Sequence, residues 1–415
     1  MKVLFVVKSQ VMENLGVMYL AAVVKQAGHE AKITNLLKVA AVVQKWKPDI
    51  VGLSVMTGDQ EKFKLLAYLL KTEYPDITII VGGPHPTFFP DDFRNKKYIN
   101  AIIPGEAEQA MADLLQSGLK YPNLDSIPHP DRTDFPDMKI RDFITSRGCP
   151  YNCSYCYNDA WAKLFPNTER VRTRSVEDVI KEIGDVKPVP KFVYFQDSCF
   201  GVNMKWLEKF SHQYKHKINI PFHCHLRPNQ VTADRVGLLY EANCISTRMA
   251  LESASPKLRK LMGREKVDMA MVEKASMLLK KWHINLMIQN ILGLPTATIE
   301  DDLETLEANI RFQPGYAWCS IFSPYPGTKL GDWCKESGWY KGDYSDVGEN
   351  FFDMSVLEFD PEYLERVAVL QKVFALCVET RYMPKVEELT RKRMPELVHK
   401  AMRHLGDKRL YGGVI

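Results

Sequence analysis

No stretch of this 415-residue chain holds the eighteen or so consecutive apolar residues that a membrane span requires. Charge of one sign is lacking too: 55 Lys and Arg face 51 Asp and Glu, a formal net charge of +4, and the basic residues are dispersed rather than clustered. That balance argues against nucleic acid or an anionic membrane as a partner. The opening MKVLFVVKSQ has neither the long apolar core nor the small-residue cleavage site of a signal peptide. It reads as a first β-strand, so a cytoplasmic setting is expected. Cysteines number nine, odd and without framework spacing, which fits a reducing compartment rather than a disulfide scaffold. There is no repeat of fixed period and no low-complexity tract. What remains, 46% hydrophobic and 26% charged, is ordinary globular composition in a chain long enough for two or three domains.

Residues 1–120 alternate near-continuous apolar runs with helical patterns: KVLFVV then GVMYLAAVVKQAG, EAKITNL then KVAAVVQKW, DIVGLSV then EKFKLLAYLLK, ITIIVGG, and NAIIPG before EAEQAMADLL. Strands buried on both faces predict a doubly wound α/β domain of about five parallel strands, with any ligand beyond their carboxyl ends. Residues 121–138 are rich in Pro and Asp and read as a linker. From 139 to 325 the alternation resumes with KIRDFITS, KFVYFQD, IPFHCHL, STRMALE, INLMIQNIL and YAWCSIFS. Six such units predict a partial (β/α)6 barrel with its site at the carboxyl ends of the strands. Residues 326–415 read as loop and then helices, including PEYLERVAVLQKVFALCVETR and a basic helical end.

The loop after the first barrel strand, RGCPYNCSYCYN, carries Cys149, Cys153 and Cys156 with the spacing C-x3-C-x2-C. Three thiolates this close can hold three corners of a cubane iron-sulfur cluster and leave one iron open, whereas a structural zinc site has four protein ligands. A zinc ribbon would need a second C-x2-C or a His pair, and neither follows at suitable spacing.

That spacing, with an aromatic residue, Tyr155, just before the third cysteine, resembles the signature of the radical S-adenosylmethionine (SAM) enzymes. The resemblance implies a 4Fe-4S cluster whose open iron is chelated by the amino and carboxylate groups of SAM. It further implies an electron donor such as flavodoxin or ferredoxin and one-electron cleavage of SAM to a 5'-deoxyadenosyl radical. The segments NLGVMYLAAVVKQAGHEAKI, KPDIVGLSVMT, IVGGPHPT and IIPGEAE resemble the flavodoxin-like cobalamin-binding domain that precedes the barrel in a large subfamily. In that light Ser54 or Thr57 lies near the corrin, Gly82 and Gly83 meet the nucleotide tail without a Cβ in the way, and Gly105 and Glu106 border the same ligand. The chain departs from the D-x-H-x-x-G version of the domain, having KSQVMENLG after its first strand, so cobalt should receive no histidine from that loop. His85 is the substitute ligand to weigh against packing or a hydrogen bond, and a ligand-free scaffold is the plain alternative for the whole domain.

Within the barrel, Asp197 and Glu252 end the second and fourth strands, where carboxylates suit the ammonium and ribose hydroxyls of SAM; Ser253 or Ser255 would more simply cap a helix. Arg227 offers a fork of donors to a carboxylate or phosphate, and His223 and His225 share one face of their strand as a metal pair or substrate grip, with no third ligand evident. Tyr155 and Tyr157 stack on adenine or pack in the core, and Arg172 and Arg174 hold a carboxylate or are solvated. Trp318, Trp333, Trp339 and Tyr340 line a substrate pocket or the core. The function expected is a cobalamin-dependent methyltransferase acting on an unactivated carbon of a small metabolite or natural-product intermediate. The rivals are a cyclase or ring-rearranging enzyme without methyl transfer, resembling the anaerobic porphyrin cyclase, and a non-catalytic cobalamin sensor or carrier.

Overall fold

The structure, a computed structural model, describes residues 1–404. Lys2–Val7 (β1), Glu30–Asn35 (β2), Ile50–Ser54 (β3), Thr78–Gly82 (β4) and Ala101–Ile103 (β5) form a parallel sheet in the order β2-β1-β3-β4-β5. Alternate residues of β1 feed two cores. Val3, Phe5 and Val7 pack with α1 (Leu15–Gln26) and α5 (Glu108–Leu114) on one face. Leu4 and Val6 pack with α2 (Val39–Trp46) and α3 (Gln60–Glu73) on the other, while the short α4 (Pro84–Phe88) leaves the end of β4. Burial on both faces is what the unbroken apolar runs encode, at roughly 1.5–3 kcal/mol for each large side chain removed from water. The order reverses between β1 and β3, which opens a crevice at the carboxyl edge of the sheet.

The expected linker is a strap bound to both halves. Asp134 Oδ2 accepts from Ile33 N at 2.7 Å, and Asp125 accepts from Ser175 N at 2.9 Å. Arg132 bridges Glu13 at 2.5 Å and Glu182 at 3.0 Å. Prolines break secondary structure there, but they do not free the chain.

The second sheet runs in the order Ile140–Phe143 (β6), Phe192–Phe195 (β9), Phe222–Leu226 (β10), Cys244–Glu252 (β11), Asn285–Leu292 (β12) and Tyr316–Ile321 (β13), all parallel. β6 and β13 remain edges, so the barrel is open. Between β6 and β9 lie a two-stranded pair, Ser146–Gly148 (β7) and Val171–Thr173 (β8), that the sequence did not announce, with α6 (Tyr157–Leu164) inside it and α7 (Val176–Asp185) after it. Gly148 has φ +92° where the pair crosses, and a Cβ there would lie 2.0 Å from Arg170 O. The remaining crossovers are α8 (Met204–Lys217), α9 (Ala233–Glu241), α10 (Pro256–Leu261), α11 (Met269–Lys281) and α12 (Ile299–Phe312). Val193, Phe195, Phe222, Cys224, Met249, Leu251, Leu286 and Ile288 point outward into one core beneath these helices. Their alternates face the lumen.

After α13 (Lys329–Glu336), α14 (Pro361–Thr380) packs on α12 and β13 through Val367, Leu370, Val373 and Phe374. Tyr363 donates to Asp302 Oδ2 at 2.7 Å, and Gln371 to Cys319 O at 3.1 Å. The tail therefore completes the barrel's outer layer, and residue 325 is no packing boundary. α15 (Met394–His404) ends the described chain, and residues 405–415 of the expected basic helical end lie outside it.

Candidate functional site

The cysteine loop leaves the carboxyl end of β6 and is pinned by later segments. Ser154 N donates to Met262 O at 3.0 Å, Ser154 Oγ to Leu261 O at 2.8 Å, and Leu330 N to Ser154 O at 2.8 Å. Arg170 donates to Cys149 O at 3.0 Å and to Tyr151 O at 2.5 Å. Two guanidinium groups converge on Cys153: Arg227 Nη1 lies 3.4 Å and Arg264 Nη1 3.7 Å from its sulfur. The neighbouring Cys199 thiol, with help from Arg227 and Arg170, pulls the Cys149 thiol down, whereas burial pushes Cys156 up. Among the described residues no three His, Cys, Asp or Glu side chains converge as ligands of a single metal ion. A cubane does not ask for that, since each thiolate binds a different iron. Three free thiols on one pinned loop, with cations aimed at the buried one, fit such a cluster.

Across the loop, Tyr155 donates to Glu252 Oε1 at 2.7 Å, and both line a cavity of about 210 Å³ with Gln289, Ile291, Trp318 and Tyr325. Glu252 sits at a register shift with φ +70°, a strained conformation of the kind that clusters at functional sites. Burial raises its carboxyl above the ordinary range, against the pull of Arg264. Arg264 was not anticipated: nothing in GREK separates it from a solvated turn, and only the fold brings it to Cys153 and Glu252.

Asp197 does not face this cavity. It is fully buried and accepts from Thr145 N at 3.0 Å, Thr145 Oγ1 at 2.6 Å and Ser146 Oγ at 2.5 Å. Those bonds staple the exit of β6, and its neighbours Gln196 and Ser198 are the residues that reach open space. Arg227 likewise serves the loop, stacking 3.9 Å over Tyr151 while it donates to Cys153.

At the carboxyl edge of the first sheet a cavity of about 410 Å³ is lined by Ser54, Gly82, Gly83, Gly105 and Glu106, as well as by Asn14–Val17, Met56 and Arg147. Gly83 has φ +99°, and a Cβ on it would strike Val55 O at 2.8 Å, so its bareness serves strand packing as well as the cavity floor. Thr57 and His85 are absent from the lining. His85 is wholly buried, with Nδ1 2.9 Å from Thr57 Oγ1 and Nε2 3.1 Å from Asp92 Oδ2, and neither nitrogen is left for cobalt. Thr57 also meets Tyr157 Oη at 3.3 Å. A second cavity of about 370 Å³ shares Gly83, Pro84, Gly105, Glu106, Ile144 and Arg147 with the first and reaches Tyr157, Asn158 and Ser198 beside the cysteine loop. A wide, mostly apolar bed floored by bare glycines and leading to the barrel mouth fits a corrin.

Other expected contacts fall elsewhere. Arg172 pairs with Glu106, whose carboxyl Arg172 and Arg147 hold below its ordinary range despite burial. Arg174 is buried against Glu182 at 2.5 Å and Asp178 at 2.6 Å. Tyr157 stacks on Phe88 at 4.3 Å and leans on Tyr325 at 5.3 Å. Trp333, Trp339 and Tyr340 belong to the core around α14, and Trp318 lines the cavity walled by Tyr155 and Glu252. His223 and His225 share the lumen face as expected, with Ser246 and Arg248 as their respective polar neighbours.

A doubly wound domain with a glycine-floored apolar bed, facing an open barrel with a three-cysteine loop, defines a class of enzymes that join a corrin to an iron-sulfur cluster. Residues 1–115 match the B12 binding domain, and residues 143–308 match the radical SAM superfamily. The chain belongs to the cobalamin-dependent radical SAM family; it is a radical SAM enzyme whose cofactors are a 4Fe-4S cluster, SAM and cobalamin. It is 27% identical to an uncharacterized methyltransferase of Pyrococcus horikoshii over 76% of this chain and 77% of that one. It is 26% identical to the anaerobic magnesium-protoporphyrin IX monomethyl ester cyclase of Rubrivivax gelatinosus, over 76% of this chain and 65% of that one. The fold is similar to that of the radical SAM methyltransferase TsrM from Kitasatospora setae, with a TM-score of 0.66 at 14% identity, covering 81% of this chain and 76% of TsrM. No described helix is long and apolar enough to cross a membrane.

Proposed function

We propose that this enzyme methylates an unactivated carbon of a small metabolite or natural-product intermediate. The observation that carries the reading is the adjacency of the two larger cavities, which share Gly83, Pro84, Gly105, Glu106, Ile144 and Arg147 and run from the bed on the first sheet to the residues beside the cysteine loop. The bound cofactors supply one-electron cleavage of SAM at the barrel mouth and a methyl group from the corrin side.

In this reading Cys149, Cys153 and Cys156 hold the cluster, and Arg227 and Arg264 set two positive charges against the Cys153 sulfur. Tyr155 fixes the Glu252 carboxyl, which with Arg264 borders SAM. Ser54, Gly82, Gly83, Gly105 and Glu106 border the corrin. Phe88, Tyr157 and Tyr325 form an aromatic wall beside the cleft and limit water. A small redox protein such as flavodoxin or ferredoxin supplies the electron.

The likeness to the cyclase favours a second reading, oxidative ring formation without methyl transfer. Anaerobic incubation of the reduced, cofactor-loaded protein with methyl-labelled SAM tests both. S-adenosylhomocysteine with label on the corrin supports methyl transfer; 5'-deoxyadenosine without S-adenosylhomocysteine supports the cyclase. No cleavage of SAM at all leaves a sensor or carrier.

A further inference from the structure

The lumen of the barrel holds a cation that none of these roles uses. Register places Arg248 of β11 beside His225 of β10, and Arg248 Nη2 lies 2.7 Å from His225 Nε2. The Tyr194 hydroxyl is 3.1 Å from the same nitrogen, the guanidinium sits 5.6 Å from the Tyr194 ring, and Tyr194 stacks on His223 at 4.6 Å. Among the described residues no carboxylate pairs with Arg248, and burial alone brings it down to about 10. Its Nε and His223 Nε2 are buried without a partner. Burial also lowers His223 to about 3 and His225 to about 4, so near neutral pH both rings are uncharged dipoles around a lone guanidinium. A cation drawn this far from water without a counter-ion carries a cost even when partly exposed, and a ligand anion offsets that cost.

The lumen is not plugged. Tyr194, His225, Arg248, Ala250, Met287 and Gln289 stay partly exposed while their alternates on the same strands are buried. Gln289 and Trp318 carry this open face up to the cavity walled by Tyr155 and Glu252. Arg248 stands four residues, about 13 Å of strand, below Glu252.

We propose that Arg248 is an oxyanion receptor low in the barrel, so that the substrate bears a carboxylate or phosphate that docks there while its reacting carbon stays at the mouth. Met287, Tyr194 and Trp318 make the adjoining stretch of that substrate apolar or aromatic. The inference rests on the barrel mouth as the reaction site.

The test is anaerobic calorimetric titration of the cofactor-loaded protein with benzoate, inorganic phosphate and neutral benzamide, beside Arg248→Gln and Arg248→Lys. At least one anion should bind the parent, bind Arg248→Gln tenfold or more weakly and Arg248→Lys within a few-fold, while benzamide does not distinguish the three. No anion binding by the parent, or unchanged binding by Arg248→Gln, overturns the proposal. So does loss of corrin and cluster absorbance in both variants, which would make Arg248 part of the fold. A parent that binds the anion yet forms no S-adenosylhomocysteine sinks methyl transfer and leaves the receptor standing; the converse result does the reverse.

Discussion

Asp197→Ala separates a staple from a cofactor contact. The carboxylate accepts three hydrogen bonds, all from Thr145 and Ser146, at the point where β6 becomes the cysteine loop. A hydrogen bond to a charged group is worth about 1.5–3 kcal/mol, but part of that sum is offset by keeping a carboxylate dry at full burial. Truncation strands two hydroxyls and an N–H, so the expected loss is about 3–5 kcal/mol, the usual scale for breaking a buried charged network. At about 2–4 °C per kcal/mol for a unit this large, the melting temperature should fall by roughly 6–20 °C. Asp197→Asn, whose amide lets one hydroxyl turn round and accept, should cost about half as much. Scanning calorimetry reads the shift, and iron content reads whether the loop still holds its cluster. Asp197→Asn loaded with cluster should bind SAM within a few-fold of the parent. If the Ala variant melts with the parent while SAM binding drops tenfold or more, the staple is wrong and Asp197 reaches the cofactor.

Burial lifts Asp302 to about 7. The folded state thus holds this proton more tightly than the unfolded chain, and the stability so gained is complete below the ordinary carboxyl value of 3.8 and is lost as pH rises through about 7. Urea midpoints of Asp302→Asn should therefore lose that downward slope and exceed the parent's at pH 8; an unchanged slope would clear Asp302 of it. His85→Ala should cost about 3 kcal/mol through its two lost hydrogen bonds and cavity while leaving the spectrum of retained cobalamin as in the parent. A changed corrin spectrum with unchanged melting would put His85 on cobalt. Arg264→Met removes a cation 3.7 Å from the Cys153 sulfur and beside Glu252. SAM should bind at least tenfold more weakly, about 1.4 kcal/mol, read from the SAM-dependent change in the paramagnetic signal of the reduced cluster; an undiminished response refutes the role.

Strands buried on both faces were legible because each core demands its own apolar residue, as Leu4 and Phe5 do on opposite faces of β1. The H-x-H pair was legible as a shared face for the same period-two reason, but its partners Tyr194 and Arg248 arrive by register from neighbouring strands. An acid at a strand end looks like a ligand in sequence, and Asp197 and Glu252 look alike. What separates them is whether a loop some fifty residues earlier has already filled the lone pairs, which it has for Asp197. His85 beside a Gly-Gly pair drew attention for the same reason, and Asp92, seven residues on, had taken its second nitrogen. Pro-rich composition announced broken secondary structure at 121–138 but could not announce that Arg132 would sit between Glu13 and Glu182.

The charged contacts between the two sheets bear on how a substrate is admitted. Glu13, in the loop after β1, is almost wholly buried against Arg132 and Arg141 and accepts from Asp142 N at 2.8 Å. On the other side of the cavity Glu106 holds Arg147 and Arg172. Gly105 with φ +79° lets the backbone come so close that a Cβ would lie 2.7 Å from the Phe165 ring. Buried ion pairs contribute little to net stability against a well-packed apolar alternative, but a misaligned one is heavily penalised, so these contacts specify one relative placement of sheet and barrel. Separating the domains to admit a substrate would expose unpaired charges on both sides at once. The lumen needs no such separation, because its inward residues are already partly exposed from Ala250 down to Arg248. An anionic substrate that reaches down from the mouth meets its counter-charge at Arg248, and below it the buried Ser246 and His223 set how far the chain can travel.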